Sequence, residues 1–161
     1  MGSRIDRPGE RGKVYMNFKN VLSILGLLVA AAALVQLFFL HHLFAKSPYL
    51  LAVQVAAVLL MIWARKTFGL RSFHAAASTS KGSLVTNGPY RYWRHPIYAS
   101  IIYFTWAGQV GSPAAVPIAL AGAVTFGLFV RMLIEEQLLT QTYPAYAEYA
   151  KKAKRLIPFV Y

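Results

Sequence analysis

Long stretches without a charged residue constrain this chain more than any other feature. No Asp, Glu, Lys or Arg occurs from Val21 to Ala45, and a second uncharged stretch covers Ser47 to Ala64. A third extends from His95 to Val130, and turn-forming residues at Gly108 to Pro113 divide it in two. Because about 20 apolar residues in a helix cross a bilayer, the sequence predicts an all-α integral membrane protein with about four transmembrane helices. Their predicted ranges are 20–43, 48–66, 96–110 and 113–134. The third range is short, so whether it crosses fully stays open.

The basic residues alternate with these spans. Of the 17 Lys and Arg residues, all but Lys46 lie before the first span, between the second and third, or at and beyond the end of the fourth. The positive-inside rule therefore predicts that both termini, including the basic segment 1–19, are cytoplasmic. The expected membrane is the inner membrane of a prokaryote or the endoplasmic reticulum of a eukaryote. The net charge of +12 alone would suit nucleic acid, but the alternation favours anionic lipid headgroups of the bilayer as partner and no nucleic acid.

Several kinds of chemistry are excluded by what the sequence lacks. The chain has no Cys, so disulfides, thiolate metal sites and cysteine nucleophiles are impossible. No His, Asp and Glu spacing is typical of a metal site, and we expect none. The Gly-x-Gly fingerprint of dinucleotide-binding folds is missing as well. We expect residues 1–161 to form a single membrane domain, and the sequence says nothing about its oligomeric state.

Arg94, His95 and Tyr98 stand where the third predicted helix begins. Pro96 suits the first turn of a helix, where its missing N–H costs nothing, so His95 is expected just before the helix start. The free N–H groups and the dipole at such a start favour an anionic group. We interpret these three residues as binding residues, whereas residues 91–93 suit anchors at the membrane surface.

A second polar cluster, Arg131, Glu135 and Glu136, falls at the end of the fourth predicted span. Ionisable groups at membrane depth are costly and are functional by default. Arg131 and Glu135 are four residues apart and share a helical face, whereas Glu136 points about 100° away. An Arg131–Glu135 ion pair that merely closes the helix is the alternative. Carboxylates near a helix C-terminus oppose its dipole, however, which favours a cationic or hydroxyl-bearing ligand.

Two further patterns concern packing and the C-terminal segment. Small residues recur every four positions at Ala115, Ala119, Ala123 and Gly127, which predicts a closely packed stripe on the fourth helix. Residues 144–155 place tyrosines and lysines on different sides, which predicts a cytoplasmic amphipathic helix at the membrane surface.

Three segments together resemble a known family of membrane enzymes. They are LVTNGPYRYWRHPIY, RMLIEEQLL and YPAYAEYAKKAKRLIPF. In order and spacing they are similar to the isoprenylcysteine carboxyl methyltransferases and their phospholipid methyltransferase relatives. The resemblance covers about half of the chain, residues 84–159, which we interpret as the cofactor-binding half.

The resemblance implies an enzyme that uses S-adenosylmethionine. By position it implies that Arg131 faces the substrate and that Glu135 is a cofactor contact. The other residues implied or interpreted as cofactor contacts are Leu84, Val85, Tyr90, Arg94, His95, Pro96, Ile97 and Tyr98. A carboxylate acceptor needs no base, and Arg131 would orient it; an amine acceptor would need its proton removed, a role open to Glu136.

The expected reaction is methyl transfer to a lipidic or small apolar acceptor, with a carboxylate of the isoprenylcysteine type as the first candidate. The ethanolamine headgroup of a phospholipid is the alternative acceptor. Two other classes stay open from the sequence: an NADPH-dependent membrane reductase, because sterol reductases resemble this family in their C-terminal half, and a non-catalytic membrane adaptor.

Overall fold

The computed structural model describes residues 8–69, 84–158 and 160. In this part of the chain it has five α-helices: α1 Pro8–Phe39, α2 Pro48–Phe68, α3 Pro96–Val110, α4 Ala115–Thr142 and α5 Tyr146–Lys152. A 3-10 turn, Gly88–Arg91, precedes α3. The described residues contain no β-strand, so the all-α prediction is confirmed for them. Four of the predicted cytoplasmic basic residues, Arg4, Arg7, Arg71 and Lys81, lie outside the described residues.

Three helices within the described ranges are long and apolar enough to cross a membrane. They are Phe18–Phe39 of α1, Pro48–Phe68 and Ala115–Thr142. Large apolar side chains such as Leu25, Leu28 and Leu59 are exposed on α1 and α2, as a surface in contact with lipid requires. The protein is therefore a multi-pass membrane protein.

The helix α3 has the predicted bounds but only 15 residues. At 1.5 Å per residue it spans about 22 Å, less than the hydrocarbon core of roughly 30 Å. The fourth crossing therefore stays a prediction. The largest differences from the predicted ranges are at α1, which covers Pro8–Phe39 rather than 20–43, and at α4, which continues to Thr142 rather than ending near residue 134. His41, with φ of 57°, follows the end of α1.

Neighbouring helices run antiparallel. Ser23 of α1 meets Arg131 of α4, and Gly26 meets Gly127, so sequence numbers rise along α1 as they fall along α4. Tyr98 of α3 meets Glu135 of α4 and Trp106 meets Thr125, so α3 is also antiparallel to α4, and α2 packs along α3. As a result the beginning of α3 and the end of α4 lie at one end of the bundle.

The close approach of α1 and α4 depends on two glycines. A Cβ at Gly26 would lie 2.6 Å from the carbonyl oxygen of Gly127, and a Cβ at Gly127 would meet the Gly26 carbonyl oxygen in the same way. Ala30, Val124 and Leu128 form a buried cluster beside them. Small residues therefore permit backbone contact between two apolar helices, as is common in lipid.

The predicted small-residue stripe on α4 is wrong at two of its four members. Ala115 and Ala119 are exposed, whereas Gly127 is buried and Ala123 packs against the buried cluster. Ala121 and Val124 also belong to the buried face. Successive positions four apart rotate by about 40° around a helix of 3.6 residues per turn, so a strict four-residue spacing leaves the contact face.

The opposite end of the bundle is tied by one glutamine. Gln54 Nε2 donates to the carbonyl oxygens of Leu43 and Phe104, at 2.9 and 3.0 Å, and Gln54 Oε1 accepts from Ala45 N at 3.0 Å. These bonds connect the loop after α1 to α2 and α3.

Candidate active site

The segment before α3 is held by the end of the chain. Arg94 N donates to Lys154 O at 2.6 Å, His95 N donates to Arg155 O at 3.2 Å, and Lys154 N donates to Tyr92 O at 3.1 Å. Trp93 and Lys154 form the parallel bridge between the two segments. Arg94 and His95 lie between the 3-10 turn and α3, and this pairing satisfies their N–H groups.

Tyrosines fasten the same C-terminal segment. The hydroxyl of Tyr149 donates to Tyr90 O at 2.7 Å, and that of Tyr103 donates to Leu156 O. Burial, aided by the charge of Glu136, raises the pKa of Tyr146 to about 12, and burial also raises the pKa values of Tyr90 and Tyr149. These three hydroxyls therefore stay protonated at neutral pH.

In α5, Tyr146 is buried while Lys151 and Lys152 are exposed, but the contact of α5 with a membrane surface stays a prediction.

Glu136 is the centre of a cationic cluster. Its Oε1 lies 2.8 Å from Arg94 Nη1 and 3.3 Å from His95 Nε2. Its Oε2 accepts from Arg155 Nε at 3.0 Å, with Arg155 Nη2 at 2.9 Å. A buried carboxylate requires such compensation, because an unpaired charge in a low-dielectric site is costly. The cluster joins α4, the residues before α3 and the C-terminal segment.

Glu135 has different partners, in line with its different direction on α4. Tyr98 Oη donates to Glu135 Oε1 at 2.6 Å, and Arg131 Nη2 lies 3.1 Å from the same oxygen. Glu135 Oε2 is 3.9 Å from His95 Nδ1, longer than a hydrogen bond. The Glu135 side chain is 22% exposed and that of Glu136 is 10% exposed, so Glu135 is the more accessible carboxylate.

Arg131 is buried, with 5% of its surface exposed, and its guanidinium reaches three helices. Nε donates to Tyr98 Oη at 2.7 Å, Nη1 donates to Ser23 Oγ at 3.2 Å, and Nη2 pairs with Glu135. The Arg131–Glu135 ion pair that the sequence left open is therefore present, but as one part of a wider network. Sequence reasoning missed Ser23 and Arg155. Ser23 could have been noticed because it is a lone hydroxyl in an apolar run. Arg155 had no such signal, because it is one of many basic residues near the C-terminus.

The structure brings the two polar clusters of the sequence into one connected network at one end of the bundle. Its predicted members are Arg94, His95, Tyr98, Arg131, Glu135 and Glu136. The rings of His95 and Tyr98 stack at 5.6 Å with an angle of 6° between their planes. Of the remaining predicted contacts, Pro96 and Tyr90 are buried, while Leu84, Val85 and Ile97 are half-buried. What each residue binds stays a prediction.

The described residues contain no group of three or more His, Asp or Glu side chains arranged to hold a metal ion.

Comparison with known proteins identifies the family. The family model described as phospholipid methyltransferase matches residues 40–146. One similar protein is the cobalt-zinc-cadmium resistance protein CzcN of Cupriavidus metallidurans, which is 33% identical over 79 residues. This match covers 47% of the present chain and 36% of that protein, so the chain spans about a third of the length of this relative. No solved structure is significantly similar to the chain. Because the family model covers more than half of the chain, and includes the start of α3 and both glutamates of α4, the chain belongs to the phospholipid methyltransferase family of membrane methyltransferases.

Proposed function

We propose that the protein transfers the methyl group of S-adenosylmethionine to a lipidic or small apolar acceptor that reaches the site from the bilayer. The observation that supports this most is the meeting of Arg94 and His95 with Glu135 and Glu136 at one end of the bundle. The residues come from two segments that are far apart in the sequence, inside the part of the chain that matches the family. We further propose that α3 completes a fourth crossing and that this end of the bundle faces the cytoplasm, where S-adenosylmethionine is available.

The residues present fit this cofactor chemically. S-adenosylmethionine has a carboxylate, an ammonium group, a ribose diol, an adenine ring and a sulfonium. The N–H groups at the start of α3 and the Arg94 guanidinium suit the carboxylate, and Arg94 Nε is buried without a hydrogen-bond partner among the described residues. The accessible carboxylate of Glu135 suits the ammonium or the hydroxyls. The stacked rings of His95 and Tyr98 offer an aromatic surface that suits the sulfonium cation.

When bound, S-adenosylmethionine supplies a methyl group that the sulfonium has already activated. The protein then has to align the acceptor with that methyl and to exclude water. Alignment alone lowers the activation barrier by several kcal/mol, and by about 7–11 kcal/mol at most. In this proposal Glu135 and Arg94 hold the cofactor, Arg131 orients the acceptor, and His95 and Tyr98 shape the space between them.

Glu136 suits a positioning role better than the role of a base. Both of its carboxylate oxygens already have partners: Arg94 and His95 contact Oε1, and Arg155 contacts Oε2. A proton from an amine acceptor would have to compete with these contacts. We therefore assign Glu136 to holding the Arg94–His95 segment and the C-terminal segment in place.

The balance of charge favours an anionic acceptor. Three guanidinium groups, from Arg94, Arg131 and Arg155, face two carboxylates in the network, so an additional anionic group is electrostatically favourable there. A carboxylate of the isoprenylcysteine type is therefore the first candidate acceptor. The ethanolamine headgroup of a phospholipid, which the family description suggests, is the alternative.

The proposal is tested by calorimetry of the detergent-purified protein with S-adenosylhomocysteine and, separately, with NADPH. We expect binding of the first and none of the second; the reverse result would replace the proposal with a reductase, and binding of neither would leave it without support. Glu135→Gln is expected to weaken S-adenosylhomocysteine binding at least tenfold, because a charge-assisted contact is lost. Glu148→Gln is the matched control, since Glu148 is exposed and pairs only with Lys151 among the contacts described.

The acceptor is tested by transfer of a labelled methyl group. The substrates are a prenylated cysteine thioether with a free carboxylate and vesicles that contain phosphatidylethanolamine. We expect label in a methyl ester of the first; label in the phospholipid headgroup instead would select the amine acceptor.

A further inference from the structure

The Arg131 guanidinium depends on a helix that lies outside the family match. The match begins at residue 40, after the end of α1, yet Arg131 Nη1 donates to Ser23 Oγ of α1 at 3.2 Å. Ser23 is fully buried, and it is a hydroxyl within an otherwise apolar run. A polar side chain in such a place requires a partner, and the structure provides one that belongs to the candidate active site.

We propose that Ser23 is a positioning residue for the methyl transfer, acting through Arg131. This inference rests on the proposed function. A guanidinium is planar, and its N–H groups point in fixed directions. Tyr98 Oη accepts from Nε, Glu135 pairs with Nη2, and Ser23 Oγ accepts from Nη1. The contact with Ser23 therefore fixes the edge of the guanidinium that faces α1.

The packing of α1 on α4 supports the geometry of this contact. Gly26 is one helical turn after Ser23, and Gly127 is one turn before Arg131, and these glycines meet backbone to backbone. Such a close approach brings the short serine side chain within hydrogen-bond distance of the guanidinium. The antiparallel pair α1 and α4 thus positions Ser23 by backbone contact rather than by long flexible side chains.

The effect of Ser23 on the reaction follows from what it contacts. Without the hydroxyl, Arg131 loses the buried contact between Nη1 and Ser23 Oγ, and the orientation of the guanidinium is less restricted. Glu135 keeps its hydrogen bond from Tyr98 Oη, so the cofactor side of the network retains its support. Turnover should therefore fall while cofactor affinity stays nearly the same.

The test compares Ser23→Ala with Thr105→Val in the full-length detergent-purified protein. Thr105 is also fully buried, and its hydroxyl donates to Ile101 O within α3, so its replacement removes a buried hydroxyl away from Arg131. For S23A we expect a roughly tenfold or larger loss of kcat with the labelled methyl donor, and a change of less than about threefold in S-adenosylhomocysteine affinity. For T105V we expect kcat within about twofold of wild type.

The results separate this inference from the proposed function. If the wild-type protein neither binds S-adenosylhomocysteine nor transfers methyl groups, the proposed function fails. If the wild type is active, three results would show that Ser23 is not a positioning residue. The first is an unchanged kcat in S23A, and the second is an equal loss of kcat in T105V. The third is a loss of cofactor affinity in S23A that parallels its loss of kcat. Should S23A not purify as a folded protein, Ser23→Cys takes its place with the same expected loss, because a thiol fills the site but is a weak hydrogen-bond acceptor.

Discussion

His95 and Glu136 are 41 residues apart in the sequence, and their side chains meet, with Nε2 3.3 Å from Oε1. This contact joins the start of α3 to the end of α4. Because Arg94 and Arg155 approach the same carboxylate, the contact also fixes the C-terminal segment over the start of α3. The stability of the candidate active site should therefore depend on the charge of Glu136 more than on any other single group in the cluster.

Replacing Glu136 with Gln keeps the shape of the side chain and removes its charge. Arg94 and Arg155 then lose the carboxylate that they share at a mostly buried place, which costs roughly 3 kcal/mol. We expect the Tm in detergent to fall by about 5–10 °C. The control is again Glu148→Gln, whose ion pair with Lys151 is 71% exposed on both sides and should contribute almost nothing. Equal Tm values for the two variants would show that the Glu136 cluster is not structural.

The docking of the C-terminal segment should depend on pH through its tyrosines. The pKa of Tyr146 in the folded protein is about 12, above the value near 10 of an unfolded chain, so its protonated form is favoured by folding. That contribution is complete below pH 10 and is lost as the pH rises through about 12. Tyrosinate absorbance during titration should show a late step to which Tyr90, Tyr146 and Tyr149 contribute, and Tyr146→Phe should reduce its amplitude by one tyrosine. A variant that still shows the full late step would contradict the burial of this hydroxyl.

The contact between α1 and α4 should not tolerate a methyl group. Gly127→Ala places a Cβ against the backbone carbonyl of Gly26, which cannot move without separating the helices. We expect a loss of about 1–3 kcal/mol, the usual cost of overpacking, measured as a lower Tm. Gly122→Ala, on the same helix, has nothing within 4 Å of its Cβ and should leave the Tm unchanged or raise it, because alanine is the better helix former. A Tm for G127A equal to that of G122A would contradict the close approach.

Much of this arrangement could be predicted from the sequence, because the signals for it lie within single segments of the chain. Uncharged runs predicted the apolar helices, Pro96 predicted the start of α3, and the helical period predicted that Glu135 and Glu136 point in different directions. The contacts from Ser23 and from Arg155 could not be predicted. They depend on which helix lies beside α4 and on where the chain returns after α5, and no spacing within one segment carries that information. The end of α4 was also missed, since the helix continues beyond the predicted span up to Thr142.

The loop at the opposite end of the bundle should depend on Gln54. Its side chain is buried and satisfies Ala45 N, Leu43 O and Phe104 O at once. Gln54→Leu retains the volume but removes these three hydrogen bonds, at about 1–3 kcal/mol for each backbone group that then has no other partner. We expect a lower Tm and faster amide exchange at Ala45, while S-adenosylhomocysteine binding persists because the candidate site lies at the other end of the helices. Gln36→Leu, at an exposed position on α1, is the matched control and should change neither quantity. Loss of cofactor binding in Q54L alone, with the fold retained, would mean that the two ends of the bundle are coupled.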